Sequence, residues 1–485
     1  MEHCTRALAK ALLIGFALLL ALALLLGACR PAHLSYPAAF SVSVALVALY
    51  ALYQRRPRLH PSLWQRLGEG KTCALLLCVC LAVNTAAVLL LRVEPAVDYA
   101  TFWQTAQDIA RGETLSLRAY LALFPHILGY AHALGQVIRV FGAGALVAPL
   151  FNVCLTTLTG LFLFRLTLRY RTLNSAAMAL LGWSLCPSVL LYNTMVLSEP
   201  WYTCLLMAFF WLCSEIESKK PAIGFAVILG LFGGGLLRLV NMARPIAAVP
   251  LIALVIWVAL LRPERGREPL CRWLAFLLGV CVVYAMTGPL WTAWEREALG
   301  EAPASVPGYS FYVGLNPETL GSYSDDDMGL LMHYRFELPD VSAETAQQMM
   351  LEEAKVRLHY GDVPLAKQFF IKLRTFLGND EGGAYYARAS LTARGYAVLA
   401  ALSNIVYYAL GILALWGIWR LFRAEERRAV LLLVLYVLGL TLAQELVEVA
   451  ARYHYSVLPT LYLLAAFSLT RPTRFRTGAL GEAQR

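Results

Sequence analysis

The sequence predicts an all-α polytopic membrane protein with about 12 transmembrane helices, interfacial helices in the first long outward loop and a larger soluble outward loop. Three observations carry this. The 485 residues are 59% hydrophobic and only 15% charged, whereas soluble domains are about a quarter charged, so the apolar excess needs a solvent other than water. The apolar residues come in blocks near 20 long, the length that crosses a bilayer core. Basic residues gather in every second connector between the blocks, as in loops kept on the cytoplasmic side. Together these describe one membrane domain with inserted loops rather than several globular domains.

The apolar blocks run over 9–28, 36–53, 72–92, 145–165, 174–192, 195–213, 222–240, 245–261, 273–291, 397–419, 429–447 and 453–470. Arg55, Arg56, Arg58, Arg66 and Lys71 lie in the second connector, and Arg165, Arg169 and Arg171 follow the fourth block. Lys219 and Lys220 follow the sixth, and Arg262, Arg265, Arg267 and Arg272 the eighth. Arg420, Arg423, Arg427 and Arg428 follow the tenth, and Arg471, Arg474 and Arg476 the last. One orientation then fits every helix and puts both termini in the cytoplasm. Leu26-Gly27-Ala28-Cys29 looks like a lipoprotein processing site, but the later blocks need the first helix for a consistent orientation. The expected organisation is a two-helix N-terminal extension over 1–71, a transmembrane core over 72–291, an extracytoplasmic loop over 292–396, and C-terminal helices with a basic cytoplasmic tail over 397–485.

Two outward connectors are long. Residues 93–144 hold an amphipathic helix near 100–111 and a semi-apolar stretch, 118–141, broken by Pro125 and Gly129. That stretch reads as interfacial helix lying along the membrane, because counting it as a span would invert every later loop. Residues 292–396 carry turns at Pro303, Pro307, Gly308, Pro317 and Gly321, then a helical run from Ser342 to about Tyr360. This loop has 15 acidic and 9 basic residues, net −6, and the overall charge of +10 leaves +16 for the rest. That positive charge lies in short loops between apolar blocks, so topology and anionic lipid explain it and nothing favours nucleic acid. None of the eleven cysteines falls in the 292–396 loop and no CxxC occurs, which excludes a disulfide framework there. They read as small apolar core residues. Gly233-Gly234-Gly235 lies inside an apolar block without a following GKS/T, and no GxSxG or HExxH pattern occurs.

The outward face concentrates the unusual polar residues. Asp98, in Val97-Asp98-Tyr99, reads either as a helix N-cap or as a general base toward a hydroxyl. Glu199, in Ser198-Glu199-Pro200, is an acid that a helix N-terminus favours. Arg238 and Arg244 flank the outward turn at Asn241, and Arg452 and Tyr453 open the last block. Arginine is disfavoured on this face. Arg244 and Arg452 therefore invite a phosphate, which suits the guanidinium fork, or else a salt bridge to a carboxylate such as Glu445 or Glu448. Ser324-Asp325-Asp326-Asp327 reads as a divalent-cation site, or as a solvated turn or helix cap, since the spacing of an EF-hand is absent. Lys372 and Arg374 return positive charge to the membrane surface or simply snorkel.

The order of these features resembles bacterial members of glycosyltransferase family 39 in the GT-C superfamily, which includes protein O-mannosyltransferases and the aminoarabinose transferases of lipid A. The resemblance runs from about 72 to 470. It rests on Asp98-Tyr99, the A-x-D-I-A-x-G run from Ala106 to Gly112, Ser198-Glu199-Pro200, Arg244-Pro245, Gly314-Leu315-Asn316, and Arg452-Tyr453 with Pro459. It implies a GT-C-like bundle that transfers a monosaccharide, with inversion, from a polyprenyl-phosphate donor to a hydroxyl of an extracytoplasmic glycan, lipid or protein. Asp98 would be the catalytic base. Arg244, Lys372 and Arg452 would bind the donor phosphate, and Tyr99, Glu199, Asn316, Tyr453 and His126 would contact substrate, with Tyr130 beside His126. The site would face outward from the cytoplasmic membrane. Several relatives carry an acidic pair where Tyr99 follows Asp98 here, which weakens any metal or second-carboxylate inference from that position, and a divalent cation is left open. The two helices before residue 72 lie outside the family's core. The competing classes are a transporter or flippase of a lipid-linked glycan and a non-catalytic assembly partner. Charges clustered at one rim, with no internal repeat, favour the enzyme over the transporter.

Overall fold

The computed structural model describes residues 2–30, 35–54, 62–264, 266–426 and 428–469, and the regular structure among them is helical, without a strand. Arg55, Arg56, Arg58, Arg265, Arg427 and the basic tail at Arg471, Arg474 and Arg476 lie outside the described residues.

Two apolar helices open the chain, α1 (Glu2–Ala28) and α2 (Ser35–Tyr53). The short α3 (Leu63–Leu67) begins at a capping box in which the Ser62 hydroxyl accepts from the Gln65 N–H, and α4 (Glu69–Leu90) follows. The first long loop holds α5 (Asp98–Arg111), α6 (Arg118–Leu123) and α7 (His126–Phe141). Next come α8 (Val147–Tyr170), α9 (Leu173–Ser184), α10 (Pro187–Tyr192), α11 (Glu199–Lys219), α12 (Ile223–Ala243), α13 (Ala248–Ile256) and α14 (Arg267–Leu299). The second long loop is built from α15 (Gly308–Gly314), α16 (Asp325–Phe336), α17 (Ala343–Tyr360), α18 (Leu365–Leu377) and α19 (Gly382–Ala387). The chain closes with α20 (Ala393–Arg423), α21 (Val430–Leu446), a 3₁₀ turn over Ala451–Val457 and α22 (Leu458–Ala466).

Every apolar block of the sequence lands on helix. Seven helices among the described residues are long and apolar enough to cross a membrane: α1, α2, α4, α8, α12, α14 and α20. The stretch Ala248–Leu261, where α13 runs on into a π turn, and α21 are apolar but shorter. The other blocks depart from continuous spans for local reasons. Pro187 lacks the N–H that would continue α9, so the chain restarts there as α10. α11 carries Glu199, Glu215 and Glu217, and the last block spends its first turns in the 3₁₀ segment before α22.

The interfacial stretch breaks where Pro125 predicts, between α6 and α7, but Gly129 is no break. It lies inside α7 where that helix crosses α12, and a Cβ there would come within 2.2 Å of the Met242 backbone. The glycine serves close approach rather than interruption. Glycines do the same between α12 and α14, where a Cβ on Gly230 would meet the Phe276 carbonyl oxygen at 2.2 Å.

The two N-terminal helices belong to the body of the fold. α1 packs against α18 and α20, and Gly27 approaches Gly378 so closely that a Cβ would lie 1.7 Å from its carbonyl oxygen. Helix direction then separates two ends. At one, Arg165 pairs with Glu69 at 2.6 Å and Lys220 with Glu264 at 2.5 Å. α11 reaches that end at Lys219 and α12 runs back from it, so Glu199 at the start of α11 and Arg244 after α12 share the opposite end.

Candidate active site

Four charged side chains from distant parts of the chain meet at that opposite end. Arg244 follows the last turn of α12, and Pro245 disfavours helical backbone for it; its φ of −150° and ψ of 125° turn it out of the helix. Glu199 stands in the first turn of α11, followed by Pro200, and is fully buried. Arg244 Nη2 donates to Glu199 Oε1 at 2.9 Å. Arg452, on the 3₁₀ turn, donates through Nη2 to Asp98 Oδ2 at 2.5 Å, and its Nε stands 3.6 Å from Glu199 Oε1, too long for a hydrogen bond. The line of charge is thus Asp98, Arg452, Glu199, Arg244.

Asp98 is not the cap of α5. The N-cap is Val97, without a side-chain hydrogen bond, at φ 49° and ψ −121°. A β-branched residue in that region is strained, and such strain gathers at functional sites. The Asp98 carboxylate goes to Arg452 instead. Burial pushes its pKa up, but Arg452 as charge and donor, then Arg244 and His126, outweigh burial and leave it below the ordinary carboxylate value. Glu199 stands in a helix first turn, as the sequence predicts, and also counters Arg244, with Arg452 close by. The salt bridges themselves differ from expectation, because the arginine partners are Asp98 and Glu199 and not Glu445 or Glu448.

Aromatic rings frame the cluster. The Arg244 guanidinium lies over Tyr453 at 4.7 Å, and that of Arg452 over Tyr386 at 5.4 Å and Tyr453 at 5.8 Å. Tyr99 meets Tyr386 edge-on at 6.3 Å. His126, at the start of α7, shares the electrostatic environment of Arg244, Asp98 and Arg452; burial and then Arg244 push its pKa to about 3, so it is neutral. Behind it, Tyr130 donates to Asn152 at 3.2 Å. Several buried polar atoms here have no partner: Nε of Arg244, Nε of Arg452, Oε2 of Glu199 and the Tyr99 hydroxyl. Buried donors without acceptors are costly and uncommon, and an anion is what two guanidinium groups with spare N–H bonds accept.

Two expected site residues have structural partners instead. Lys372 Nζ donates to the carbonyl oxygens of Glu445 and Val447 at 2.9 and 2.8 Å, capping the end of α21. Burial lowers its pKa to about 8, against the opposing pull of Glu445 and Glu448. It makes no direct contact with the arginine cluster. Asn316 Oδ1 accepts from the N–H groups of Glu318 and Thr319, and its Nδ2 donates to Asp327. Asp327 also pairs with Arg357 at 2.9 Å, and Ser324 caps α16 so that all three aspartates lie in its first turn. The acidic run is therefore a helix start. Among the described residues, no group of three or more His, Cys, Asp or Glu is placed to hold a metal ion.

Tyr386 is a neighbour of the cluster that the sequence reading did not name, and Glu448, named there as a salt-bridge partner, lies in the same electrostatic environment. Tyr386 had no signal, since it comes from a short helix inside the loop. Glu448 is held by its own N–H, which donates to Ser310 at 2.8 Å. Burial raises its pKa, with Arg452, Arg244 and Lys372 opposing and Asp98 assisting.

What fold and site define is a class: a multi-pass helical membrane protein that presents a partly buried arginine–carboxylate cluster at one rim. No family model matches the chain, and no curated protein matches it by sequence. Among solved structures it is similar to the archaeal oligosaccharyltransferase AglB from Archaeoglobus fulgidus in complex with an inhibitory peptide and a dolichol-phosphate, at 10% identity and a TM-score of 0.47. That match covers 84% of this chain and 50% of the other, so the chain spans about half the length of that relative. It is also similar to ArnT from Cupriavidus metallidurans bound to undecaprenyl phosphate, at 12% identity and a TM-score of 0.33, covering 82% of this chain and 77% of that one.

Proposed function

We propose that the chain is a GT-C-type glycosyltransferase that moves a monosaccharide from a polyprenyl-phosphate donor to an acceptor hydroxyl at the outer face of the cytoplasmic membrane. The observation that supports this reading best is the pair of partly buried guanidinium groups whose buried Nε donors are unfilled, one of them gripping a carboxylate at the rim. The donor phosphate takes the open N–H bonds of Arg244 and Arg452. Arg452 then turns from Asp98 to the phosphate, and Asp98 regains its basicity as the charge that depressed its pKa is shared. The acceptor oxygen attacks the anomeric carbon, the bond from that carbon to the phosphate oxygen breaks, and polyprenyl phosphate leaves with the electron pair. The hydroxyl proton goes to Asp98, and the sugar inverts. Preformed positive charge stabilises the leaving phosphate without reorganisation, while Glu199 keeps the two arginines from repelling one another. Tyr99, Tyr386 and Tyr453 offer rings to the sugar, and neutral His126 can hydrogen-bond a hydroxyl. The apolar helices around the rim supply the surface along which a polyprenyl chain lies.

The test is sugar transfer from a panel of radiolabelled polyprenyl-phosphate monosaccharides by purified protein, with a membrane extract as acceptor. Asp98→Asn should lose about 10²- to 10⁴-fold in rate, the usual worth of a general base, while retaining donor binding. Equal transfer by both proteins removes Asp98 from the mechanism. No transfer from any donor, with lipid-linked glycan moving across liposomes, overturns the reading in favour of a flippase.

A further inference from the structure

Behind the arginine cluster lies a buried histidine–aspartate pair that the proposed mechanism does not use. His454 Nε2 is 3.0 Å from Asp380 Oδ1, and the two side chains are 0% and 1% exposed. A buried ionic pair is weak evidence for stability, because apolar residues of similar volume often serve as well, and its best-attested use is to fix register. Here there is a register to fix. Arg452 and His454 belong to one 3₁₀ turn, Ala451–Val457. With about three residues per turn, residues two apart project to different sides, and Arg452 faces the site while His454 enters the core. Whatever grips His454 sets the rotation of the turn and thereby the aim of Arg452.

Asp380 is itself well held. Its N–H donates to Asn404 Oδ1 at 3.0 Å. The Tyr407 ring packs on His454 at 5.5 Å, and its hydroxyl donates to the Leu377 carbonyl at 2.8 Å. Two residues on, Gly382 abuts the turn, so that a Cβ would lie 3.4 Å from Ala451 Cβ. α19 then carries Tyr386 to the Arg452 guanidinium. One segment, 380–386, thus touches the turn at Ala451, Arg452 and His454. The N-terminal helices hold that segment from the other side. Glu381 accepts from Arg30 at 2.9 Å and from the Tyr36 hydroxyl at 2.5 Å, and Gly27 meets Gly378.

We propose that Asp380 is a positioning residue: through His454 it fixes the turn that aims Arg452 at the donor phosphate, and α1 and α2 clamp it from behind. This rests on the reading of Arg452 as an anion-binding residue. In the Nε2–H tautomer the imidazole donates to Asp380 and leaves Nδ1, which has no partner, as a lone pair. Positioning then needs an acceptor at Oδ1 and no formal charge. The substitution Asp380→Asn keeps that acceptor, and Asp380→Ala removes it.

The experiment measures farnesyl phosphate binding to the full chain in detergent, with thermal unfolding recorded for each variant. Arg452→Ala and Asp380→Ala should each weaken binding about tenfold or more, while Asp380→Asn stays within about threefold of wild type. Arg30→Ala, a milder loosening of the clamp at a partly exposed site, should weaken binding several-fold with the fold intact, and it decides the matter if Asp380→Ala does not fold. Wild-type binding by Asp380→Ala overturns the proposal, as does equal loss in Asp380→Asn and Asp380→Ala. If Arg452→Ala itself binds like wild type, the donor reading has failed. The position of Arg452 in a cryo-EM map of Asp380→Ala then decides separately: contact with Asp98 retained overturns the positioning role, and a displaced guanidinium upholds it.

Discussion

Glu199→Gln tests the electrostatics of the site without changing its shape. Glu199 is fully buried and stands 2.9 Å from Arg244 and 3.6 Å from Arg452. With an effective dielectric of about 20, those separations correspond to gross attractions of about 6 and about 5 kcal/mol. Desolvation of the buried carboxylate offsets most of this, and removing one partner of such a pair typically costs about 3–5 kcal/mol. Glutamine keeps an oxygen facing Arg244, so the lower part of that range is expected, about 3 kcal/mol. The two arginines then repel each other uncompensated, and an anion between them restores what was lost. Thermal unfolding followed by tryptophan fluorescence, with and without farnesyl phosphate and with farnesol as the uncharged control, reads both effects. The variant should unfold at lower temperature than wild type. Saturation at about 100 times the dissociation constant stabilises any binder by about 2.7 kcal/mol, and at one fixed ligand concentration the variant should gain more than wild type. Unfolding at the wild-type temperature, or equal shifts in the two proteins, would show that Glu199 is not the counter-charge of an anion site.

The other predictions address residues whose partners the structure redefines. Lys372 has a folded pKa of about 8, below its ordinary 10.5. Between those values the unfolded chain holds a proton that the folded chain has released, so this group adds stability as pH rises through that window. Lys372→Met lacks that titration, and unfolding at pH 7.5 and 9.5 should show wild type gaining on the variant by up to about 2 kcal/mol; a constant difference would refute the burial argument. Asn316→Ala should cost about 1–2 kcal/mol through its lost hydrogen bonds while leaving kcat within a few-fold, whereas a substrate-binding asparagine would show its loss in KM. Gly129→Leu must push α7 off α12 at Met242, two residues before Arg244. Destabilisation of at least about 1–3 kcal/mol together with weaker farnesyl phosphate binding is expected, and wild-type values of both would mean that the crossing is not rigid.

The helices were legible because each depends on a local property. Block length and apolar content place α1, α2, α4, α8, α12, α14 and α20, and Ser342 and Pro125 mark boundaries that the structure keeps. Gly129 misleads because its role is not local. A glycine that interrupts a helix and one that lets a second helix approach look alike until the partner is known, and here the partner, Met242, is more than a hundred residues away. Lys372 misleads in the same manner: a lysine in an amphipathic helix reads as interfacial, and only the fold shows it capping α21.

The site residues that are legible in the sequence are legible through cost. An arginine at the end opposite the basic connectors defies the charge bias of membrane loops, and a carboxylate at the rim needs water or a partner, so Arg244, Arg452, Asp98 and Glu199 each announce an unmet electrostatic requirement. The structure answers all four with one another, across sequence separations as large as the 354 residues between Asp98 and Arg452. Asp380 and His454 make no such announcement. A histidine two residues past a notable arginine and an aspartate in an acidic loop are ordinary in their own surroundings, and each becomes informative only when both are seen to be fully buried and touching. Charges that violate a local rule can be read from sequence, whereas charges that satisfy each other inside the core stay silent until the chain is folded. That asymmetry is why the charges at the rim are easier to nominate than the pair buried behind them.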